Sequence, residues 1–216
     1  MKKNNYSLTK DPIKKLFINI AIPSSVGTIF QTLYNVVDTF FAGKISAEAL
    51  AAIAQTFPVY FIIIAMGVGL SIGTTSLIAN AFGEKKENEA SYFLAQSIIL
   101  AIVVFIIVAT AGIYLGPYII LAMNKSLVTL KLSMEYLNVI FLGSIFIFIQ
   151  MSVNSSLSAM GDTKSNRNVL IFSFFLNIIL NPILISGKLF GMQIFIPLGI
   201  SGIAIATILS QFVGIF

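Results

Sequence analysis

Charged residues are missing from six long stretches of this chain. Residues 16–37, 49–83, 90–124, 136–161, 168–187 and 189–216 hold no Asp, Glu, Lys or Arg. Each stretch is longer than the ~18 apolar residues that mark a segment able to cross a hydrocarbon core as a helix. Short polar runs separate them. The lead Asp11-Pro12-Ile13-Lys14-Lys15 opens helix one, over about 16–42. The turn Gly83-Glu84-Lys85-Lys86-Glu87-Asn88-Glu89 parts helix two (about 50–80) from helix three (about 91–116). Pro117 and the Asn124-Lys125-Ser126 cluster are expected to break the chain before helix four, about 127–157. The turn Gly161-Asp162-Thr163-Lys164-Ser165-Asn166-Arg167 precedes helix five, about 168–187, and a Gly/Pro-punctuated loop leads to helix six from Leu198. The pattern predicts an all-α polytopic membrane protein. A basic tail over 1–15 would be followed by a six-transmembrane-helix lobe over 16–216. The run Ser210-Gln211-Phe212-Val213-Gly214-Ile215-Phe216 stops inside an apolar stretch, as expected of a chain truncated within helix six.

Composition strengthens this picture. The chain is 57% hydrophobic and 10% charged, with mean hydropathy +0.97. A soluble domain runs at roughly 45–50% apolar and about 25% charged. With Cys 0 and His 0, disulfides, thiolate nucleophiles, zinc fingers and His-based catalytic triads are excluded. The net charge of +5 reads as membrane orientation rather than nucleic-acid binding, because the basic residues gather at helix ends. With the N-terminus cytoplasmic, Lys2, Lys3, Lys10, Lys14, Lys15, Lys85, Lys86, Lys164 and Arg167 lie inside. Lys44, Lys125, Lys131 and Lys188 then lie outside. That bias favours a cytoplasmic N-terminus. No small-residue cleavage site follows the first apolar run, so a removable signal peptide is not expected.

Candidate chemistry sits in the few polar residues of the spans. Asp38 is the only acid deep in an apolar run. An Asp at such a place costs about 2.5–3.5 kcal/mol on insertion scales, so its charge is there to be exchanged with a proton or a cation. The competing reading is a hydrogen-bonded structural residue. Gln31, Asn35 and Asp38 fall at i, i+4 and i+7 on one helical face, bordered by Tyr34. Ser173, Asn177 and Asn181 repeat every fourth residue on helix five. Both stripes are expected to point inward, since amides facing lipid are costly. The asparagines would equally serve as interhelical glue worth about 0.6 kcal/mol each. Gln150 and Asn154 are expected to line a cavity, and Pro23 and Pro182 to bend helices one and five beside the polar stripes.

Three runs resemble a known family. Pro23, Gln31 and the stretch Asp38-Thr39-Phe40-Phe41-Ala42-Gly43-Lys44 through Ala52 resemble the first helix of the multidrug and toxic compound extrusion (MATE) transporters. Ser158-Ala159-Met160-Gly161-Asp162-Thr163-Lys164 resembles that family's A-x-G-D-T-K turn, and Leu198 to Thr207 resembles its G-x-x-G-A-A-I-A-T start to helix six. The resemblance implies half of a twelve-helix transporter, the N-terminal lobe of the prokaryotic DinF-like branch. It implies no enzyme and no cofactor, but export of small amphipathic, often cationic compounds by antiport with H⁺ or Na⁺. Partners would be the lipid bilayer of a prokaryotic plasma membrane and a second six-helix lobe, in cis or in trans, with no nucleic acid. Asp38, Asn177 and Asn181 are implied as the cation-coupling set, with Na⁺ as one possible ligand of Asp38 and Asn177. Gln31, Tyr34, Asn35, Ser173, Gln150 and Asn154 are implied as the substrate cavity. Asn181 stands where that branch commonly carries Asp, leaving one carboxylate among amides.

Three other functions compete. A flippase for lipid-linked oligosaccharide or peptidoglycan precursors, from the same superfamily, would want a cationic cavity, and no charge-free window supplies one. An intramembrane aspartyl protease would need a second acid facing Asp38. The third is a non-transporting fragment.

Overall fold

The computed structural model describes residues 11–123, 125–189 and 191–215. Lys2, Lys3 and Lys10 of the basic tail, together with Asn124, Phe190 and Phe216, lie outside these described residues. The charge-free windows form six helices: α1 Ile13–Ile45, α2 Ala47–Gly83, α3 Glu87–Met123, α4 Leu127–Ala159, α5 Thr163–Ser186 and α6 Gly199–Val213. The first five are long and apolar enough to cross a membrane, while α6 has 15 residues.

α1, α2, α3 and α5 start earlier than hydropathy alone predicts, and polar residues cap α2, α4 and α5. Ser46 Oγ accepts from Ala49 N–H at 3.0 Å and Ser126 Oγ from Thr129 N–H at 3.4 Å. Asp162 accepts from Ser165 N–H at 3.0 Å. The polar run after Gly161 is therefore the first turn of α5 rather than a loop. The expected break at Pro117 does not occur. Pro117 lies inside α3, which runs on to Met123. A proline forfeits one backbone bond, whereas ending a helix in a membrane strands several. For the same reason α5 runs through Pro182 and α2 through Pro58. Pro23 follows a π-wound turn, Phe17–Ala21, within a continuous α1. It has no N–H to offer Asn19 O, and Thr163 Oγ1 lies 3.4 Å from that carbonyl.

α4 is the central helix: 56% of its most apolar window is buried, against 11–22% for the other four spans. It packs on α2, α3 and α6, while α5 sits between α1 and α6. Leu137, Ile140, Phe141 and Phe148 of α4 meet Ile53 and Ile63 of α2, Ala101 and Ile120 of α3, and Ile203 and Ala204 of α6. Interhelical hydroxyl pairs add to this: Thr74 Oγ1 donates to Ser97 Oγ at 2.8 Å and Ser155 Oγ to Ser71 Oγ at 2.9 Å. A short hairpin, β1 Lys188–Leu189 with β2 Met192–Gln193, links α5 to α6. It leaves α5 through Gly187 in the left-handed region (φ 68°), where a side chain would strike Phe195 O. Large apolar side chains such as Ile29, Phe61, Ile72, Ile106 and Tyr114 stay exposed on the outer faces of α1, α2 and α3. In a protein surrounded by lipid this surface carries no hydrophobic penalty.

Candidate cation-coupling site

Asp38 lies two turns before the C-terminal end of α1, with only 4% of its surface exposed. α5 and α6 close over it. Asn177 and Asn181, one turn apart on α5, each aim an amide at the carboxylate, their Nδ2 atoms 3.4 Å from Asp38 Oδ1. Thr207 of α6 donates from Oγ1 to Asp38 Oδ2 at 2.8 Å. The amides hold one another: Asn181 Nδ2 lies 3.0 Å from Asn177 Oδ1, and Asn177 Nδ2 lies 3.2 Å from Thr207 Oγ1. Tyr136 of α4 also faces the carboxyl. All the donors are neutral, and no Lys or Arg pairs with Asp38 among the described residues.

The local sequence explains the cluster. Asn177 and Asn181 share a face by their four-residue spacing, and both are fully buried. Close approach of α6 to α5 depends on Gly202, where a methyl group would fall 2.8 Å from the Leu184 carbonyl carbon. That contact brings Thr207, five residues on, within reach of α1.

Chemically, the arrangement is one carboxylate with amide and hydroxyl oxygens around it. A buried carboxylate among neutral donors is short of one positive charge. A proton on Asp38 supplies it, and so would a small hard cation taking oxygens from Asp38, Asn177, Asn181 and Thr207. No group of three or more Asp, Glu, His or Cys that could hold a transition metal occurs among the described residues.

The structure divides the remaining expected residues. Gln31, Tyr34 and Asn35 line one open cavity of about 220 Å³ with Tyr60, Phe61 and Gln211. Gln31, Gln150 and Asn154 line a neighbouring one of about 120 Å³. The α1 stripe does not point inward as a whole. Asp38 and Tyr34 are buried, but Gln31 is exposed and Asn35 half-buried, because the true inward face runs through the i and i+4 pair Tyr34–Asp38. Ser173 lines neither cavity and is fully buried between helices. Pro23 and Pro182 sit inside continuous helices. Two site residues escape the sequence reading. Thr207 was legible as the first polar residue of α6 to follow the small-residue run, with Ser210 three residues on. Tyr136 carries no such signal, since an aromatic beside Glu135 at the start of a charge-free window reads as an interfacial anchor.

Comparison with known proteins shows the family of the chain. The MatE family model matches residues 23–183. A Shewanella oneidensis protein named FAD transporter is 30% identical over 99% of this chain, and a Thermotoga maritima probable multidrug resistance protein NorM is 32% identical over 94%. The chain covers 46% and 43% of those two relatives, so it spans less than half their length. Among solved structures, the outward-facing conformation of a multidrug resistance MATE family transporter of the MOP superfamily superposes with a TM-score of 0.81. It is 30% identical, with 93% of this chain and 43% of that one aligned. The chain therefore belongs to the MatE family, whose members are membrane transporters rather than enzymes.

Proposed function

We propose that this lobe serves secondary active export, in which H⁺ or Na⁺ binds at Asp38 and small amphipathic, often cationic compounds leave by antiport. The observation that carries this reading is the buried Asp38 carboxyl, met only by neutral donors where α1, α5 and α6 converge. Such a group binds a cation and gives it up when helix packing changes. Differential affinity for the cation in two packings is what lets an ion gradient do work. Asn177, Asn181 and Thr207 complete the coupling set, and Na⁺ would take oxygens from Asp38 and Asn177.

The substrate face is uncharged. Gln31, Tyr34, Asn35, Tyr60 and Phe61 offer amides and rings, which suit a planar amphipathic compound. One relative carries the name FAD transporter, and the rings here would take a flat heterocycle as readily as a drug. No cationic side chain lines either cavity for a pyrophosphate, which speaks against the flippase and equally against this lobe alone holding a whole dinucleotide such as FAD. The open face requires an opposite wall, supplied by a second six-helix lobe in cis or in trans. The lobe lies in a prokaryotic plasma membrane with its N-terminus cytoplasmic.

The test is Asp38→Asn in the full-length native product. Gradient-driven efflux of a cationic dye is expected to stop while the amount of protein in the membrane is unchanged. Dye efflux at the unsubstituted rate would overturn the mechanism.

A further inference from the structure

Eight buried side-chain polar atoms lack a hydrogen-bond partner among the described residues: Tyr34 OH, Gln55 Oε1, Gln150 Nε2, Ser152 Oγ, Asn166 Oδ1, Ser173 Oγ, Asn181 Oδ1 and Ser210 Oγ. Six of them, all but Gln55 and Ser152, fall near one another. Asn181 touches Asp38. Tyr34, Ser173 and Ser210 each lie one helical turn from Asp38, Asn177 and Thr207 respectively. On α1 and α5 that turn is N-terminal, and on α6, which runs the other way, it is C-terminal. All three therefore step toward the same end of the bundle, the end that holds the N-terminus. There the Tyr34 hydroxyl lies beside those of Ser173 and Ser210 without forming a well-directed bond to either. Gln150 Nε2 and Ser173 Oγ both lie against Gly214, at the place a side chain there would occupy. Gln150 then opens onto the cavity of about 120 Å³ that Gln31, Asn154, Asn166 and Gln211 also line.

Several other buried hydroxyls satisfy themselves locally. Ser144, Ser156 and Thr56 donate to carbonyls of their own helices. Ser173 and Ser210 do not. A file of unmet donors and acceptors inside a bundle is where water is held, because each needs a partner and the site offers several at once. Gly214 has an ordinary helical φ of −68°, so its backbone does not demand glycine. The missing side chain leaves room: a methyl there would fall 2.9 Å from Ser173 Oγ and collide with Gln150 Nε2.

We propose that Tyr34, Gln150, Ser173 and Ser210 wall a hydrated chamber through which the coupling cation, a proton or a small metal ion carried with water, passes between Asp38 and the Gln31–Asn154 cavity. This rests on the reading of Asp38 as the cation site and adds the route by which that site is reached. Gly214 marks the wall between the chamber and the cavity, where the Gln150 amide fills the space a side chain would take.

This lobe has no cysteine, so in a full-length protein made cysteine-free elsewhere an introduced thiol is the only one present. Ser173→Cys and Ser210→Cys are close in size to the native residues. Ser144→Cys, buried in α4 away from the file, is the control. Each full-length protein in lipid nanodiscs is treated with Ag⁺, a thiophilic cation close in size to Na⁺, then denatured and labelled with a fluorescent maleimide. Loss of labelling at Ser173→Cys and Ser210→Cys, with labelling kept at Ser144→Cys, is the expected result. Adding Gly214→Ala to Ser173→Cys should restore labelling. Full labelling of both chamber variants, like the control, would overturn the proposal. So would loss of labelling that Gly214→Ala leaves untouched, since the cation would then enter elsewhere. Asp38→Asn separates the two readings. If it abolishes Na⁺- or pH-dependent thermal stabilisation while the thiols stay closed to Ag⁺, the cation site stands and the route falls. If the thiols are open but Asp38→Asn leaves that stabilisation intact, the cation site fails and the route to it fails with it.

Discussion

Thr207 shows how much a single hydroxyl can decide. Its Oγ1 donates to the Asp38 carboxylate at 2.8 Å, closer than either asparagine amide at 3.4 Å. Thr207→Val takes one hydroxyl oxygen from the set around a bound Na⁺ and is expected to weaken Na⁺ binding roughly tenfold, while Thr207→Ser should keep it close to the native value. Titration of Na⁺-dependent thermal stabilisation in the purified protein checks both, and equal affinity in all three proteins would remove Thr207 from the site. Asn181 makes the opposite case. Its Nδ2 lies 3.4 Å from Asp38 Oδ1, so Asn181→Asp would set a second carboxylate against the first. Two like charges at that separation cannot both stay ionised without a cation between them. Asn181→Asp should bind cations more tightly and depend on pH more steeply, measured by the same titration at several pH values.

Among the elements, the contact of α6 with α5 matters most for the site. Gly202 lies against the backbone of Leu184 and Ile185, and backbone cannot swing aside as a side chain can. Gly202→Ala should cost about 1–3 kcal/mol and lower the melting temperature in detergent. Because it pushes Thr207 away from α1, it should also reduce the Na⁺-dependent part of the stability. An unchanged melting temperature would mean that α6 can slide without loss. Hydropathy located all six helices but not their ends. The polar starts of α5 and α4 are capped turns, and Pro117 sits inside α3 because lipid makes a stranded helix end worse than one missing bond.

At the scale of the molecule, orientation and the missing wall are the questions. A cytoplasmic N-terminus places the α2–α3 and α4–α5 turns inside, and the α3–α4 turn and the β1–β2 hairpin outside. In a cysteine-free background, Lys85→Cys and Lys164→Cys should resist a membrane-impermeant thiol reagent applied to intact cells, while Lys125→Cys and Lys188→Cys react. The reverse pattern would invert the lobe. The open cavities along α1, α2 and α6 match a chain that spans less than half the length of its relatives. Reading the coding frame past Phe216 gives the native length. A product about twice this size, with six more spans, would supply the second wall in cis, while one of 23.4 kDa would require it in trans.

What the sequence determined by itself was everything that depends on neighbours along the chain. Charge-free windows set the number of helices, basic clusters the expected orientation, and four-residue spacing the shared face of Asn177 and Asn181. Asp38 stood out because an acid in an apolar run is costly wherever the run folds. Only the tertiary structure decided which of those residues meet. Thr207 lies 169 positions from Asp38 and reaches it through the close contact that Gly202 permits. Tyr34 turns inward while its neighbours Gln31 and Asn35 turn toward the open face, and Ser173 leaves the cavity for the interior. Helical spacing gives the direction of a side chain relative to its own axis, whereas what it faces depends on how the axes are rotated against one another by packing.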